Sequence, residues 1–347
     1  MKGLTICLLL PIVFSLRADA ADIHGTTGRD KGTGRPGDPN IKYFGRWDLS
    51  HSGKYVAYWG GSYLRVNFTG TTVKVKTGNT ASFYAKIDDG PWIAFRKTGG
   101  TLDLTPSPLA KGTHILIVAE GQDYNYEFDF EGLILDRGAK TRAPASLTAF
   151  IEWIGDSITA GYTDSLANVQ DYAWVCSDSL HAEHAQIAYP GINLVAGYKQ
   201  NAMENQYLKL RSNYKQASPE DWDFTWYRPD IVVINLGTND NANKVPDSVF
   251  QMHYISFLAL IRTKFPDAEI FALRTFLGLK AAPTAAAVDA RNAAGDRKVH
   301  YINTEGWLTR HTDDYGVNDQ THPSPTGQQK AAALLRPILA PYLVPSR

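Results

Sequence analysis

Cysteine is almost absent from this 347-residue sequence, which contains only Cys7 and Cys176. An apolar run from Leu4 to Leu16 precedes the small residues of Ala18-Asp19-Ala20, an order typical of a cleaved secretory signal. Residues 1–20 are therefore predicted to be a signal peptide that contains Cys7. Since Cys176 is then the one cysteine of the mature chain, a disulfide bond within that chain is excluded. The stability of the mature chain must come from a large core.

An excess of charge of one sign is also missing. The chain has 35 basic and 35 acidic residues, and residues 21–347 retain 33 basic and 34 acidic ones. Without a basic cluster, nothing favours nucleic acid or an anionic membrane as a partner. After Leu16 no apolar run approaches the ~20 residues that a transmembrane helix needs. We expect a secreted, extracellular monomer that has no membrane partner.

Changes in composition divide the chain into segments. Residues 21–40 are rich in glycine and charged residues and are predicted to be a flexible leader, followed by a first domain at 41–139, a linker at 140–147 and a second domain at 148–347. The leader contains Gly32 to Gly37, which formally matches a dinucleotide-binding fingerprint. No strand precedes it and a proline interrupts it, so this interpretation is rejected.

The first domain has the sequence pattern of an antiparallel β-sandwich. Apolar and polar residues alternate at 63–68, 73–76 and 126–131, and Asp88-Asp89-Gly90-Pro91 is a strong hairpin turn signal. Several short strands in under a hundred residues predict a jelly roll. Asn67 begins an Asn-Phe-Thr sequon on the polar face of its strand, so it is a candidate for glycosylation.

The second domain alternates strands with helices, which predicts an α/β fold with a parallel sheet covered on both faces. Strands are predicted at 149–154, 186–188, 231–236, 269–273 and 300–302, and helices at 172–182, 248–264 and 327–339. In such sheets ligands bind at the carboxyl ends of the strands. Polar residues just after these strands are therefore the first candidates for a site.

Three segments supply such residues. Gly155-Asp156-Ser157 ends the first apolar strand, and we expect Ser157 to lie where a helix begins. Gly191 follows the second strand and can offer a backbone N–H, while Asn239 follows the third and can offer its amide. A serine becomes a nucleophile only if a base removes its proton and donors bind the resulting oxyanion. These residues are predicted to share one edge of the sheet.

His322 is the candidate base, and Asp319 is the candidate residue that orients its ring. The carboxylate is three residues before the histidine, close enough to fix the tautomer of its ring, and Pro323 follows directly. Ser157 does not lie in a G-x-S-x-G elbow, which argues against the α/β-hydrolase fold as an alternative.

The sequence resembles the SGNH or GDSL hydrolases, and within them carbohydrate esterase family 2, whose members carry a small jelly roll before the hydrolase domain. The resemblance extends from about Ile41 and includes Lys42 to Trp47, Trp222 to Phe224 and Arg228 to Asp230. It implies a three-layer α/β/α hydrolase domain. The segment Pro190 to Asn193 departs from many relatives because it lacks their second glycine.

The same resemblance implies a role for each site residue. Ser157 matches the family's nucleophile and His322 its base, while Asp319 matches the optional third member that orients the histidine. The oxyanion donors are implied to be the N–H groups of Ser157 and Gly191 and the side-chain amide of Asn239. No cofactor and no metal ion are expected.

Other groups have simpler interpretations. His181 and His184, predicted to share a helix face, have no third ligand motif, so a solvated face is favoured over a metal site. Most of four aromatic residues in the first domain are expected to be core rather than sugar platforms: Trp47, Tyr58, Trp59 and Trp92.

The combined expectation is a secreted serine esterase that removes O-acetyl groups from plant cell-wall polysaccharides such as xylan and glucomannan through an acyl-serine intermediate. Its partner is the acetylated polysaccharide or oligosaccharide. A general short-chain or lipid esterase of the same superfamily is one alternative. A carbohydrate-binding protein without catalysis is the other.

Overall fold

A computed structural model describes residues 31–121, 127–147, 149–198, 202–211 and 220–343. The predicted signal peptide lies outside these ranges. Nine strands form the sheet of the first domain: β1 (Lys42–Phe44), β2 (Trp47–Asp48), β3 (Tyr55–Ala57), β4 (Tyr63–Gly70), β5 (Val73–Ile87), β6 (Ile93–Asp103), β7 (Gly112–Glu120), β8 (Phe128–Leu135) and β9 (Thr141–Arg142).

The sheet is antiparallel and nearly closed. Its strands follow the order β1-β4-β7-β5-β8-β3-β2, with β6 added to β5 and β9 added to β4. Only Gly45 and Arg46 separate β1 from β2, so the two ends of this path lie together. Val73 and Val75 are fully buried whereas Lys74 is exposed, as the alternation predicts. The predicted β-sandwich is confirmed; Tyr126 lies outside the described residues.

The end of the predicted leader is part of this domain, which corrects its description as flexible for residues 31–40. Asp38 is buried and accepts hydrogen bonds from the backbone N–H of Gly34 (2.8 Å) and of Asn40 (3.0 Å). It also accepts one from the Thr141 hydroxyl, at 2.5 Å. Thr141 lies in β9, so part of the predicted linker is also a strand of the sheet.

In the described residues of the second domain the strands and α-helices are β10 (Ala149–Gly155), α1 (Tyr172–Ser179), β11 (Ala182–Ala188), α2 (Met203–Gln206), β12 (Ile231–Asn235), α3 (Thr238–Ala242), α4 (Asp247–Lys264), β13 (Glu269–Leu273), α5 (Ala281–Ala293), β14 (Val299–Ile302), β15 (Tyr315–Gly316), β16 (Asp319–Pro323) and α6 (Pro325–Leu339). The strands of the main sheet are parallel and follow the order β11-β10-β12-β13-β14. The order reverses at β10, and open α/β sheets bind ligands at such a reversal.

Helices cover both faces of this sheet and make the predicted three-layer arrangement. On one face Ile154 and Val232 pack in a core with Phe257 of α4. On the other face Trp153 packs in a core with Leu335 of α6. Strands β10, β11 and β12 are buried along their whole length. This explains the largely apolar sequences of β10 and β12, whereas β11 also buries Glu183, His184 and Gln186.

Several local predictions differ from the structure. Helix α1 ends at Ser179 rather than at 182, and strand β11 begins at Ala182 rather than at 186. Ser157 begins a series of turns rather than a helix, because the Tyr162 N–H bonds back to the Ser157 carbonyl (2.9 Å) and the Gly161 N–H to that of Ile158 (3.4 Å). Helix α5 was not predicted. Its sequence is mostly alanine and contains Pro283 in its first turn, so it lacks a clear apolar stripe.

The two domains are joined by a contact that we call the seam, formed by Arg46, Trp59, Tyr63, Arg65 and Glu183. The Tyr63 hydroxyl donates to Glu183 at 2.7 Å, and Arg65 forms an ion pair with the same carboxylate. Trp59 is fully buried and donates its indole N–H to the Leu210 carbonyl at 3.0 Å. The sandwich is therefore docked on the second domain, as the short linker predicts.

Arg46 is fully buried at the seam and donates to the carbonyl of Lys209. Its guanidinium carbon lies between 5.2 and 5.5 Å from four aromatic ring centroids, those of Trp59, Tyr207, Trp222 and Phe224. Such contacts stabilise a buried cation. The two motifs around Arg46 and Trp222 are therefore parts of one inter-domain contact. Trp47, Tyr58 and Trp59 are buried, as expected for core residues.

Within the described parts of the chain, every helix is too short or too polar to cross a lipid bilayer.

Candidate active site

The candidate site lies at the carboxyl edge of the parallel sheet, and we call its residues the rim: Ser157, Gly191, Asn239, Asp319 and His322. Ser157 follows β10 and Gly191 follows β11, while Asn239 lies in the short helix after β12. These three strands are neighbours in the sheet, so their ends meet at one edge. At Gly155 any side chain would collide with Thr159, since a Cβ there would lie 2.5 Å from the Thr159 Cβ.

Ser157, His322 and Asp319 form a hydrogen-bonded series. His322 Nε2 lies 2.9 Å from Ser157 Oγ, and His322 Nδ1 lies 2.6 Å from Asp319 Oδ2. One ring nitrogen thus faces the hydroxyl and the other the carboxylate, the arrangement of a nucleophile, its base and a residue that orients the base. Ser157 is 5% exposed, so the hydroxyl is close to the surface but largely desolvated.

Asp319 is held in place by the backbone that follows it. Its Oδ1 accepts hydrogen bonds from the N–H groups of Thr321 (2.9 Å) and His322 (3.0 Å). Partial burial opposes ionisation, but the hydrogen bonds from His322 and Thr321 outweigh it and lower the pKa of Asp319. Asp319 is therefore an ionised acceptor at neutral pH. It lies in strand β16, which pairs with β15.

Three candidate oxyanion donors lie at this edge of the sheet. The N–H groups of Ser157 and Gly191 make no hydrogen bond with any residue in the described ranges. Asn239 Nδ2 donates to Asp156 Oδ2 at 3.3 Å, which leaves its second hydrogen for a ligand. Gly191 has φ +79°, a left-handed conformation that glycine adopts readily.

Two buried carboxylates lie beside these donors, and the sequence pattern did not suggest a role for either. Asp156 accepts the amide of Asn239 and the N–H of Ile158 (3.0 Å), and burial raises its pKa to about 6. Asp240 accepts the N–H groups of Leu194 (2.9 Å) and Val195 (3.0 Å), which ties the loop after β11 to the loop after β12. Asp156 precedes Ser157 and Asp240 follows Asn239, and this adjacency in sequence could have indicated a supporting role for both carboxylates.

A further hydrogen bond holds the loop after β11. Asn193 Oδ1 accepts a hydrogen bond from Asn243 Nδ2 at 2.9 Å, and Asn193 is fully buried. Tyr162 is another residue that the sequence did not suggest. Its ring centroid lies 4.9 Å from that of His322, so it packs against the candidate base.

The remaining predicted sites lie away from the rim. Asn67 is half-buried in β4, between Ile115 of β7 and Arg142 of β9, and its glycosylation stays a prediction. His181 and His184 do not share a helix, because His181 precedes β11 and His184 lies within it.

His184 is enclosed by the rings of Tyr63 and Trp174, and burial lowers its pKa to about 3, so it is neutral. Among the described residues, no three histidine, cysteine or acidic side chains come together to hold a metal ion.

Comparison with known families matches both domains. Residues 153–330 match the GDSL-like Lipase/Acylhydrolase family, and residues 43–144 match the Carbohydrate esterase 2 N-terminal family. The sequence is 31% identical over 323 residues to the cellulase/esterase CelE of Acetivibrio thermocellus, covering 86% of this chain and 39% of CelE. It is 21% identical over 325 residues to an acetylxylan esterase / glucomannan deacetylase of Cellvibrio japonicus, covering 87% and 88% of the two chains.

Solved structures show the same architecture. A family two carbohydrate esterase from Clostridium thermocellum in complex with cellohexaose superposes with a TM-score of 0.76 at 29% identity, covering 87% of this chain and 99% of that one. An acetyl xylan esterase from Butyrivibrio proteoclasticus, at 19% identity, has the same fold with a TM-score of 0.74 and covers 88% and 95% of the two chains. The chain belongs to the GDSL-like lipase/acylhydrolase family and carries the amino-terminal domain of carbohydrate esterase family 2.

Proposed function

We propose that this protein is a serine esterase that removes O-acetyl groups from plant cell-wall polysaccharides such as xylan and glucomannan. The observation that carries the proposal is the series of contacts from Ser157 through His322 to Asp319, at 2.9 and 2.6 Å, in a GDSL-family domain. The sugar substrate is inferred from relatives named acetylxylan esterase / glucomannan deacetylase.

In the first half of the reaction, His322 Nε2 takes the Ser157 proton as Ser157 Oγ attacks the acetyl carbonyl carbon. The carbonyl oxygen becomes an oxyanion, bound by the N–H groups of Ser157 and Gly191 and the amide of Asn239. Ionised Asp319 accepts the Nδ1 hydrogen of His322 and favours the imidazolium. The carbon–oxygen bond to the sugar then breaks, and His322 returns its proton to the sugar oxygen.

In the second half, water replaces the sugar. His322 removes a proton from water, the hydroxide attacks the acetyl-serine carbonyl, and the same three donors bind the second oxyanion. Ser157 Oγ leaves, takes its proton back from His322, and acetate is released. The cycle consumes one water per ester and needs no cofactor.

We also propose that the protein is exported and acts as a monomer. Export rests on the apolar run at 4–16 and the small residues that follow it. Amino-terminal sequencing of the protein from culture medium tests this, and a mature protein that retains residues 1–20 would contradict it.

Acetate release from acetylated xylan, acetylated glucomannan and chitin oligomers tests the substrate, with Ser157→Ala as the control. We expect release from at least one plant polysaccharide and none from the control. Hydrolysis of only soluble short-chain or lipid esters would favour a general GDSL esterase. Polysaccharide binding without release of acetate would favour a carbohydrate-binding protein.

A further inference from the structure

A cavity of about 400 Å³ lies next to the rim. Its wall includes Arg274 and Phe276 after β13, Arg310, and Thr321, the residue before His322. Ser157 is not part of the wall, so the cavity is beside the candidate catalytic centre rather than within it. Cavities of this size, from roughly 300 Å³ upward, hold small ligands in proteins.

The wall combines apolar side chains with two guanidinium groups. Phe276 and Leu308 are 5% and 8% exposed and provide apolar surface, and Arg274 and Arg310 provide positive charge. Tyr315 also lines the cavity, and its buried hydroxyl makes no hydrogen bond with any described residue. A sugar ring with one negatively charged substituent matches such a wall, since its faces are apolar and its charge needs a cation.

Both arginines have unused hydrogen-bonding capacity. Arg310 is exposed and makes no hydrogen bond or ion pair with any residue in the described ranges. Arg274 Nη1 has one long contact, 3.4 Å to the Thr275 carbonyl, and its Nη2 lies 4.0 Å from a carboxylate oxygen of Glu305. The Glu305 side chain is 74% exposed, so this pair is weak and screened by water.

Arg262 shows how a structural arginine is bound in the same domain. Its Nε contacts both carboxylate oxygens of Asp296, at 3.2 and 3.1 Å. Its other nitrogens donate to the carbonyls of four residues: Phe265, Pro266, Ala268 and Lys298. A guanidinium has five N–H donors, and Arg262 uses its set on the fold whereas Arg274 and Arg310 do not.

Nearby acidic groups do not cancel the charge of the two arginines. Asp314, next to Tyr315, is paired with Lys330 at 2.7 Å and accepts the Thr309 N–H at 2.8 Å. Among the described residues, Glu305 is the one carboxylate within 4.0 Å of either arginine. Two positive charges and one negative charge give the cavity a net positive charge.

We propose that this cavity is a subsite for a hexuronic acid branch of the acetylated polysaccharide, with Arg274 and Arg310 binding the carboxylate. This inference rests on the proposed function, because the subsite binds a sugar that neighbours the acetylated sugar of the proposed substrate. Bound there, the branch positions the main chain so that a nearby acetyl group reaches Ser157. The enzyme then prefers acetyl groups close to an acidic branch.

Paired substrates test the subsite. Acetylated xylo-oligosaccharides with one glucuronosyl branch are compared with the same oligosaccharides after the carboxyl group has been reduced to an alcohol. We expect kcat/KM for acetate release to be roughly tenfold higher on the acidic substrate, the effect of one charge-assisted hydrogen bond. Arg310→Gln should remove most of this preference, because kcat/KM should fall far more on the acidic substrate than on the reduced one.

Arg297→Gln is the matched control, because it removes the same charge from an exposed arginine before β14, at the opposite edge of the sheet. It should keep the preference. Arg274→Gln should have the same effect as Arg310→Gln. Its melting temperature shows whether it folds. If it does not fold, the result for Arg310→Gln alone decides the test. Equal rates on both substrates in wild type and Arg310→Gln would overturn the subsite and leave the esterase intact.

A titration calorimetry experiment separates this inference from the reaction. An unacetylated glucuronosyl xylo-oligosaccharide should bind wild type roughly tenfold more tightly than Arg310→Gln, whereas a neutral xylo-oligosaccharide should not distinguish them. This result supports the subsite even if no acetate is released from any polysaccharide, the outcome that would end the proposed function. Equal competition by sodium acetate would reveal a general anion site and overturn the assignment to a sugar acid.

Discussion

The seam and the rim both contain buried polar groups, but they use their hydrogen bonds differently. At the seam Tyr63 and Arg65 both bind the Glu183 carboxylate across the domain boundary, although Arg65 Nε and two nitrogens of Arg46 have no hydrogen-bond partner among the described residues. At the rim the N–H groups of Ser157 and Gly191 have no partner among the described residues. The seam uses its polar groups to hold the domains together, whereas the rim keeps donors for a ligand.

This difference has an energetic consequence. A buried polar group without a partner costs about 1–3 kcal/mol, so the rim is less stable than it would be if these N–H groups had partners. The neighbouring carboxylates of Asp156 and Asp240 hold the rim in shape through bonds to Asn239, Leu194 and Val195. Changes at the rim should therefore alter activity more than stability, and changes at the seam should do the reverse.

The largest effect is expected for Ser157→Ala and His322→Ala. Each removes a partner of the 2.9 Å contact between His322 Nε2 and Ser157 Oγ, so kcat on p-nitrophenyl acetate should fall at least about 10⁴-fold. Urea unfolding should show both variants folded. Full activity in a folded Ser157→Ala protein would refute the mechanism.

Asp319→Asn should lose less activity than His322→Ala, on the order of 10²- to 10⁴-fold. The amide oxygen of asparagine can accept the Nδ1 hydrogen of His322, which the carboxylate accepts at 2.6 Å, but it cannot stabilise the imidazolium as well. Steady-state kinetics on one acetyl ester decides the order. Equal losses for the two variants would contradict it.

Asn239→Ala should lower kcat roughly 10²- to 10³-fold, as the loss of one oxyanion donor does in other hydrolases. Its KM should change little, because the donor acts on charge that develops in the transition state. A normal kcat would mean that the amide bonded to Asp156 does not reach the substrate oxygen.

At the seam, Arg65→Met should lower the free energy of unfolding by roughly 3–5 kcal/mol, because it leaves the buried Glu183 carboxylate without its cation. Lys74→Met is the matched control. Lys74 lies 4.0 Å from Asp103 with both side chains nearly half exposed, and such pairs contribute about 1 kcal/mol or less. Both variants should keep the wild-type kcat at a temperature where they are folded. A large loss of kcat in folded Arg65→Met would contradict the expectation that the seam affects stability rather than activity.

The smallest expected effect is a pH-dependent one at Asp156. Burial raises its folded pKa to about 6, above an unfolded value near 3.9, so its contribution to stability is complete in acid and is lost as pH rises through 6. Asp156→Asn cannot ionise. Its stability relative to wild type should rise between pH 4 and pH 8 by on the order of 1–3 kcal/mol, measured by urea unfolding. A difference that is independent of pH would contradict a raised pKa.

The sequence was informative where one strong pattern decides the structure. Continuous apolar runs located β10 and β12, and parallel strands bring Ser157, Gly191 and Asn239 to one edge whatever the loops do. The pairing of Asp319 with His322 depends only on a three-residue spacing. These parts of the fold and site therefore followed from local sequence.

Other parts depend on contacts between residues far apart in the chain. Residues 31–40 appeared flexible because their order depends on Asp38 binding Thr141, more than a hundred residues later. The role of Arg46 depends in the same way on rings from Tyr207 to Phe224. The direction of the Asp156 carboxylate depends on the loop that carries Asn239. No local pattern encodes any of these contacts.

If the rim activates one serine, a covalent probe should label Ser157 and no other residue. The wild-type protein is treated with a p-nitrophenyl phosphonate, which reacts with activated serines, and the labelled peptide is identified by mass spectrometry while residual esterase activity is followed. We expect a single adduct on the peptide that contains Ser157, formed in proportion to the activity lost, and none in His322→Ala. An adduct on another residue, or full labelling of Ser157 with activity retained, would contradict the account.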